Sequence, residues 1–220
     1  MPRMITVKGI GKASAVPDLV VLSIGLESRD MDYGEAMNAA SENIDRLNAA
    51  LEQTGFEKKA VKTTSFHVHT DYDYRSREDG SDKRVFAGYV VSHRLKVEFD
   101  LDSKRLAKVL AAVSSCLANP QVSISFTVKD TASINEEMLR SATANAKRKA
   151  EILCEASGME LGALLSIDYN WGELNVCSNT RYEMTEDCLA APMMPRGEGI
   201  DMEPDDIDVS DTATFVWEIQ

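Results

Sequence analysis

Two histidines and two aspartates alternate within one short stretch of the sequence, SFHVHTDYDYR. His67, His69, Asp71 and Asp73 are spaced two residues apart, so in a β-strand all four side chains lie on one face. Imidazole and carboxylate groups are both competent ligands of zinc or manganese. The spacing therefore predicts a candidate metal site on this strand face, belonging to a metal-binding protein or a metal-dependent enzyme.

The next predicted strand suggests a second interpretation of these residues. Its alternation places Arg94 and Lys96 on a polar face and His93 on an apolar face, where we expect a core histidine with a hydrogen-bond partner. The antiparallel register that separates polar from apolar residues sets the histidine and aspartate face beside Arg94 and Lys96. Those cations oppose a metal ion and pair with carboxylates, so we favour cross-strand ion pairing. An oligomer interface is the third interpretation.

The sequence matches none of the common enzyme motifs that we considered. It contains no G-x-S-x-G, no G-x-x-x-x-G-K-[ST] and no H-E-x-x-H. The stretch VKGIGKA has two glycines of a dinucleotide-binding turn, but the third is missing and the pattern around them is that of a strand. We therefore predict no catalytic residue and no cofactor, and we favour a protein that is not an enzyme.

Composition predicts a globular protein with a substantial core, because 44% of the 220 residues are apolar. No apolar run is long enough to span a membrane, and the first residues, MPRMITVKGIGK, lack the apolar region of a signal peptide. We expect a cytoplasmic protein. The four cysteines form no C-x-x-C pair and are expected to be reduced thiols.

Negative charge is concentrated in one segment of the chain. Between Glu183 and Asp211 there are ten acidic residues and one basic residue, Arg196, out of a formal net charge of −12. Nucleic acid is not expected as a partner, because phosphate binding needs a basic surface. The acidic segment is either a solvated loop or a recruitment site for a basic protein partner, and we favour the loop.

Periodicity predicts an α+β fold, with a mainly antiparallel sheet, helices packed on it and the element order ββαββαβαββ. Predicted helices run from Asp32 to Gly55, from Asp102 or Ser103 to Ser115, and from a capping box at Ser133 and Glu136 to Ser157. Residues 172–206 are predicted to be a long acidic loop within a single domain over residues 1–220. The predicted strands are Ile5–Ala13, Asp18–Ser28, Val61–Arg75, Val85–Phe99, Gln121–Asp130, Leu161–Trp171 and Ile207–Ile219.

Three segments together resemble the SIMPL family, also called DUF541. ITVKGIGKASAVPDLVVLSIGLE resembles its opening V-x-G-x-G-x-A and P-D hairpin, and ATANAKRKAEILCEASGMELGALLSI is similar to its alanine-rich helix and following strand. IDMEPDDIDVSDTATFVWEI resembles its closing strand, with Asp205 where glycine is usual. The resemblance implies an α+β architecture, ring-like or larger homo-oligomers and a stress-related role. It transfers no catalytic centre to this chain.

Overall fold

The computed structural model describes residues 3–76, 82–116, 120–169, 175–184 and 203–220. Within these ranges the protein has the predicted α+β class, and the predicted elements follow one another in the predicted order. The helices are α1 Tyr33–Gln53, α2 Ser103–Cys116 and α3 Thr131–Ser157. The strands are β1 Met4–Ala15, β2 Leu19–Asp30, β3 Lys62–Ser76, β4 Asp82–Asp100, β5 Gln121–Thr127, β6 Leu161–Asp168, β7 Cys177–Met184 and β8 Ile207–Ile219.

The strands form two sheets, with the orders β1-β8-β6 and β3-β4-β2-β5-β7. The pairs β1/β8, β6/β8, β2/β4 and β3/β4 are antiparallel, as predicted. No helix in the part of the chain that the structure describes is long and apolar enough to cross a lipid bilayer.

The chain divides into two compact units, each built from segments that are distant in sequence. The first unit comprises Met1–Asp18, Phe126–Asn179 and Pro204–Gln220. The second comprises Leu19–Ser125 and Thr180–Glu203. That residues 1–220 act as a single domain stays a prediction.

The prediction of a continuous loop over residues 172–206 was wrong for β7, which spans Cys177–Met184. Alternate positions in and before this strand are more buried, namely Val176, Ser178, Thr180 and Tyr182. Two of these four are polar, so the alternation is weak in hydropathy. The hydroxyl of Ser178 donates to the carbonyl oxygen of Asp205 at 2.7 Å, which satisfies it where it is buried. Residues 172–174 and 185–202 of the predicted loop lie outside the described ranges.

Aspartate side chains cap the N-termini of α1 and α3. Asp32 caps α1 as predicted, accepting hydrogen bonds from the backbone N–H groups of Gly34 at 2.7 Å and Glu35 at 3.1 Å. The predicted capping box of α3 at Ser133 was wrong, because α3 begins at Thr131. There Asp130 accepts a hydrogen bond from the Ser133 N–H at 2.9 Å, so the aspartate that ends the preceding segment is the cap.

In the core of the second unit, α1 packs on β2 and β4, and α2 packs against α1. β2 pairs with β4 so that Leu22 lies opposite Val97 and Ile24 opposite Leu95. Alternation along both strands sends one set of side chains inward, as period-two patterning requires. The fully buried members of this core include Val20, Leu22, Ile24, Val97, Leu47, Leu51, Leu106, Val109 and Val113.

In the first unit, α3 packs against β1 at very short range. A Cβ atom added to Gly9 would lie 2.2 Å from the carbonyl oxygen of Ala142, and one added to Gly11 would lie 2.2 Å from that of Met138. Only glycine fits at both positions. The G-x-G stretch is therefore a packing motif that admits a helix backbone, in agreement with the predicted strand and not with a phosphate-binding turn.

The same helix also satisfies backbone groups along the free edge of β1. Three polar side chains of α3, spaced four residues apart, reach the strand. An edge strand presents N–H and C=O groups that can pair with another chain, and these contacts occupy three of them. The contacts are Lys12 N–H to Ser141 Oγ at 3.2 Å, Ile10 N–H to Asn145 Oδ1 at 3.0 Å, and Lys149 Nζ to the Lys8 carbonyl oxygen at 3.1 Å.

We predict that Gly9→Ala lowers the free energy of unfolding by about 2 kcal/mol or more, because the added methyl group overlaps the α3 backbone. Urea denaturation followed by circular dichroism measures the change. Gly158→Ala is the matched control: Gly158 ends α3 with φ 69° and has no atom within 4 Å of an added Cβ. Its cost is backbone strain alone, about 1 kcal/mol. A loss at Gly9 no larger than that at Gly158 would contradict the steric account.

Candidate functional site

The four candidate residues lie on β3, the end strand of the five-stranded sheet. His67 and His69 are both exposed. Their rings stack, with centroids 5.6 Å apart and planes inclined by 24°. The strand alternation therefore brings the two imidazoles together on one face, as the spacing predicts.

The register of β3 on β4 separates the polar and apolar faces as predicted. His67 lies opposite Ser92 and His69 opposite Val90, whereas His93 lies opposite Phe66. A bulge in the register falls between Thr63 and Ser65, so the strand regains alternation just before the histidines. His93 is thereby kept away from the two exposed histidines.

The predicted neighbours of the aspartates were wrong. Arg94 lies opposite Ser65 and Lys96 opposite Lys62, so both cations are displaced along the strand away from Asp71 and Asp73. Alternation fixes which face a residue occupies, but sliding the strands by two residues leaves the faces unchanged. Hydropathy alone therefore left the cross-strand neighbours undetermined.

Ion pairing does occur on this face, with a different cation. Asp71 pairs with Arg29 of β2, which lies beyond β4 in the sheet. The residue of β4 opposite Asp71 is Gly88, which has no side chain to separate the two. Lys96 pairs instead with Glu98, its neighbour on the same strand, at 2.8 Å. Both pairs are partly exposed and stabilise the fold only weakly.

No group of three or more histidine, cysteine, aspartate or glutamate side chains in the described ranges is arranged to hold a metal ion. The site built from His67, His69, Asp71 and Asp73 together stays a prediction. The geometry on this face offers two adjacent imidazoles, a carboxylate engaged by an arginine, and a second carboxylate further along the strand.

His93 is the predicted core histidine. It is 7% exposed, and its Nε2 lies 2.9 Å from the hydroxyl oxygen of Thr63. Its ring meets Phe66 edge to face at 5.1 Å. The expected hydrogen-bond partner is confirmed for one ring nitrogen only, because the buried Nδ1 has no partner within the described part of the chain. Burial lowers the pKa of His93, because the imidazolium loses its hydration there.

Sequence reasoning missed a second candidate site, the exposed strand β6. Every residue from Ala163 to Asp168 is exposed. The apolar side chains of Leu164, Leu165 and Ile167 are 46%, 48% and 55% exposed. β6 ends its sheet, and no strand lies beyond it among the described residues. The available signal was the run ALLSI, which is apolar on both faces although the strand lies at an edge.

A family model described as "SIMPL: Protein of unknown function (DUF541)" matches residues 5–217 of the chain. The chain belongs to the SIMPL family. The suspected resemblance is thus confirmed, and with it the α+β architecture that it implied. In this SIMPL chain the glycines of the opening motif and the alanines of the helix motif meet in one contact, between β1 and α3.

Curated relatives of this SIMPL chain are similar at modest identity. The "26 kDa periplasmic immunogenic protein" of Brucella melitensis biotype 1 is 25% identical over 166 residues, which are 76% of this chain and 66% of the relative. The protein of that name from Brucella abortus (strain S19) gives the same figures. The "Uncharacterized protein YggE" of Edwardsiella ictaluri is 22% identical over 77% of this chain and 68% of its own. The match thus spans slightly less than two thirds of the Brucella proteins.

We predict that acid destabilises the protein partly through His93. The unfolded chain protonates this histidine near its ordinary pKa of 6.5, whereas the folded chain resists protonation. The stability contributed by neutral His93 is therefore present above that pH and is lost as the pH falls below it. His93→Gln keeps an amide for Thr63 and removes the titration.

The unfolding free energy of wild type is expected to fall more steeply than that of His93→Gln between about pH 7 and about pH 5. Urea denaturation at several pH values measures both slopes. His93 is the one residue that differs between the two proteins, so the difference between the two slopes isolates its contribution. Parallel slopes would count against the assignment.

Proposed function

We propose that this SIMPL chain is a non-enzymatic protein that assembles with copies of itself through β6. The observation that carries the proposal is the exposure of Leu164, Leu165 and Ile167 on a strand that ends its sheet. Contiguous exposed apolar side chains typically mark interaction surfaces, and an open strand edge adds unpaired backbone groups.

The two edges of this sheet differ in a way that supports a specific surface. Side chains of α3 occupy backbone groups of β1, which closes that edge against a second chain. At β6 the side chains are exposed on both faces. We therefore assign the contact to β6 and expect it to be isologous, the same strand contributing from each copy, because two-fold symmetry is the commonest arrangement in homo-oligomers.

Side chains are expected to contribute more to this contact than a continuous backbone ladder. The pairing of β6 with β8 shifts register on both sides of Leu164, and such irregularities interrupt strand pairing. Each of the three apolar side chains is already half covered, so completing its burial contributes on the order of 1 kcal/mol. Assembly is then concentration-dependent and sensitive to a single charge.

The cellular setting remains a separate prediction. A stress-related role rests on the family resemblance, and both that role and a cytoplasmic location stay predictions. Two Brucella relatives carry "periplasmic" in their names, which concerns those proteins. Recruitment of a basic partner by the acidic segment also stays a prediction, since residues 185–202 lie outside the described ranges.

We predict that wild type elutes well above the 24.2 kDa of one chain in size-exclusion chromatography with light scattering. Leu165→Lys and Ile167→Lys are each expected to weaken association about tenfold or more, because a charged group would lose hydration in the contact. The elution mass should then fall toward one chain at the same protein concentration. Circular dichroism checks that each variant is folded.

Ile10→Lys is the matched control for these variants. Ile10 is a 43% exposed apolar residue on β1, the opposite edge strand of the same sheet. The Ile10→Lys variant should keep the elution mass of wild type. A wild-type protein that is monomeric at high-micromolar concentration would overturn the proposal. So would β6 variants that keep the wild-type mass.

A further inference from the structure

We infer that His67 and His69 form a surface site for one divalent transition-metal ion, with copper(II) preferred. Both imidazoles are exposed on one face of β3 and stack at a centroid separation of 5.6 Å. Neutral imidazole is a ligand of copper, nickel and zinc, and two rings so placed can turn their nitrogens toward a shared ion. The site lies in the second unit, whereas β6 belongs to the first.

Strand geometry limits the site to these two residues. A strand rises about 3.3 Å per residue, so neighbours on one face are separated by about 7 Å, and alternate neighbours by twice that distance. One ion can bridge His67 and His69 but cannot also reach Asp73. Asp71 is the next residue on the face, but its carboxylate is engaged by the Arg29 guanidinium. Two imidazoles and coordinated water therefore make up the expected ligand set.

The surroundings of the pair leave room for a bound ion. The residues of β4 directly opposite the two histidines are Ser92 and Val90, and neither carries a charge. On the other side, β3 ends the sheet. Arg94 is placed one cross-strand step away, opposite Ser65, and its charge opposes a dication at that distance. The expected affinity is accordingly moderate.

Copper(II) is the preferred ion among those that imidazole binds. The affinity of a given nitrogen site rises along the first row to copper and falls at zinc. A site with only two protein ligands imposes little geometry of its own, so this intrinsic order should apply. Zinc would need four tetrahedral ligands for a closed structural site, and the pair supplies half of them.

The test is isothermal titration calorimetry, in which copper(II) chloride is titrated into the untagged 220-residue chain at neutral pH. Wild type is expected to bind one ion per chain with micromolar affinity. His67→Ala and His69→Ala are each expected to weaken binding about tenfold or more, since even loss of an outer-shell partner weakens metal sites by that factor. Both side chains are exposed, so both variants should fold, which circular dichroism checks.

Asp73→Asn is the matched control, a charge-removing change on the same strand face, and it should alter the affinity less than twofold. Equal copper binding by wild type and the His67→Ala/His69→Ala double variant would overturn the site. So would the absence of saturable binding in wild type at high-micromolar copper. A tenfold loss in Asp73→Asn would overturn the two-histidine site in favour of a larger one that includes the aspartates.

Discussion

The close approach of the α3 backbone to β1 is the contact on which the first unit depends. Gly9 and Gly11 leave no Cβ between strand and helix, and the carbonyl oxygens of Ala142 and Met138 occupy that space. Small side chains follow on the helix, since Ala142, Ala146 and Ala150 are buried against the sheet. Glycine on the strand and alanine on the helix are two sides of one steric requirement.

Two further features follow from this proximity. A helix this near the strand can reach its backbone with short side chains, so Ser141 and Asn145 satisfy N–H groups that would otherwise remain at an open edge. The buried alanines of α3 also pack on β8. There Phe215 and Trp217 complete the core with Ala146 and Ala150. A closed edge and a tightly packed core arise from the same geometry, whereas β6, at the far edge, reaches this core through Leu161 and is exposed from Ala163 to Asp168.

Much of the fold was predictable because its signals are local. Alternation, helix periodicity and terminal aspartates or glycines each depend on residues close in sequence, as at Asp32 and Gly158. β7 was missed because its inward positions include Ser178 and Thr180, whose burial depends on partners elsewhere in the chain. At the candidate site, alternation predicted the shared face of His67 and His69. It could not predict that Arg29 pairs with Asp71, since that contact runs from β2 to β3 across the intervening strand β4.

The residues that mark this chain as a SIMPL protein are mostly packing residues, and they overlap with only one of the two proposed sites. The motifs that resemble the SIMPL family are concentrated in β1, α3 and the strands that pack with them, so they specify a packing arrangement. A shared fold of this kind does not fix a shared chemistry. β6 lies within one of those motif segments, so a contact made there belongs to the common architecture. His67 and His69 lie outside all of them, on a sheet whose core would form equally well with other polar residues at those exposed positions. We therefore expect an activity specific to this chain, such as metal binding, on β3. Self-association through β6 would instead depend on the fold that the family motifs specify.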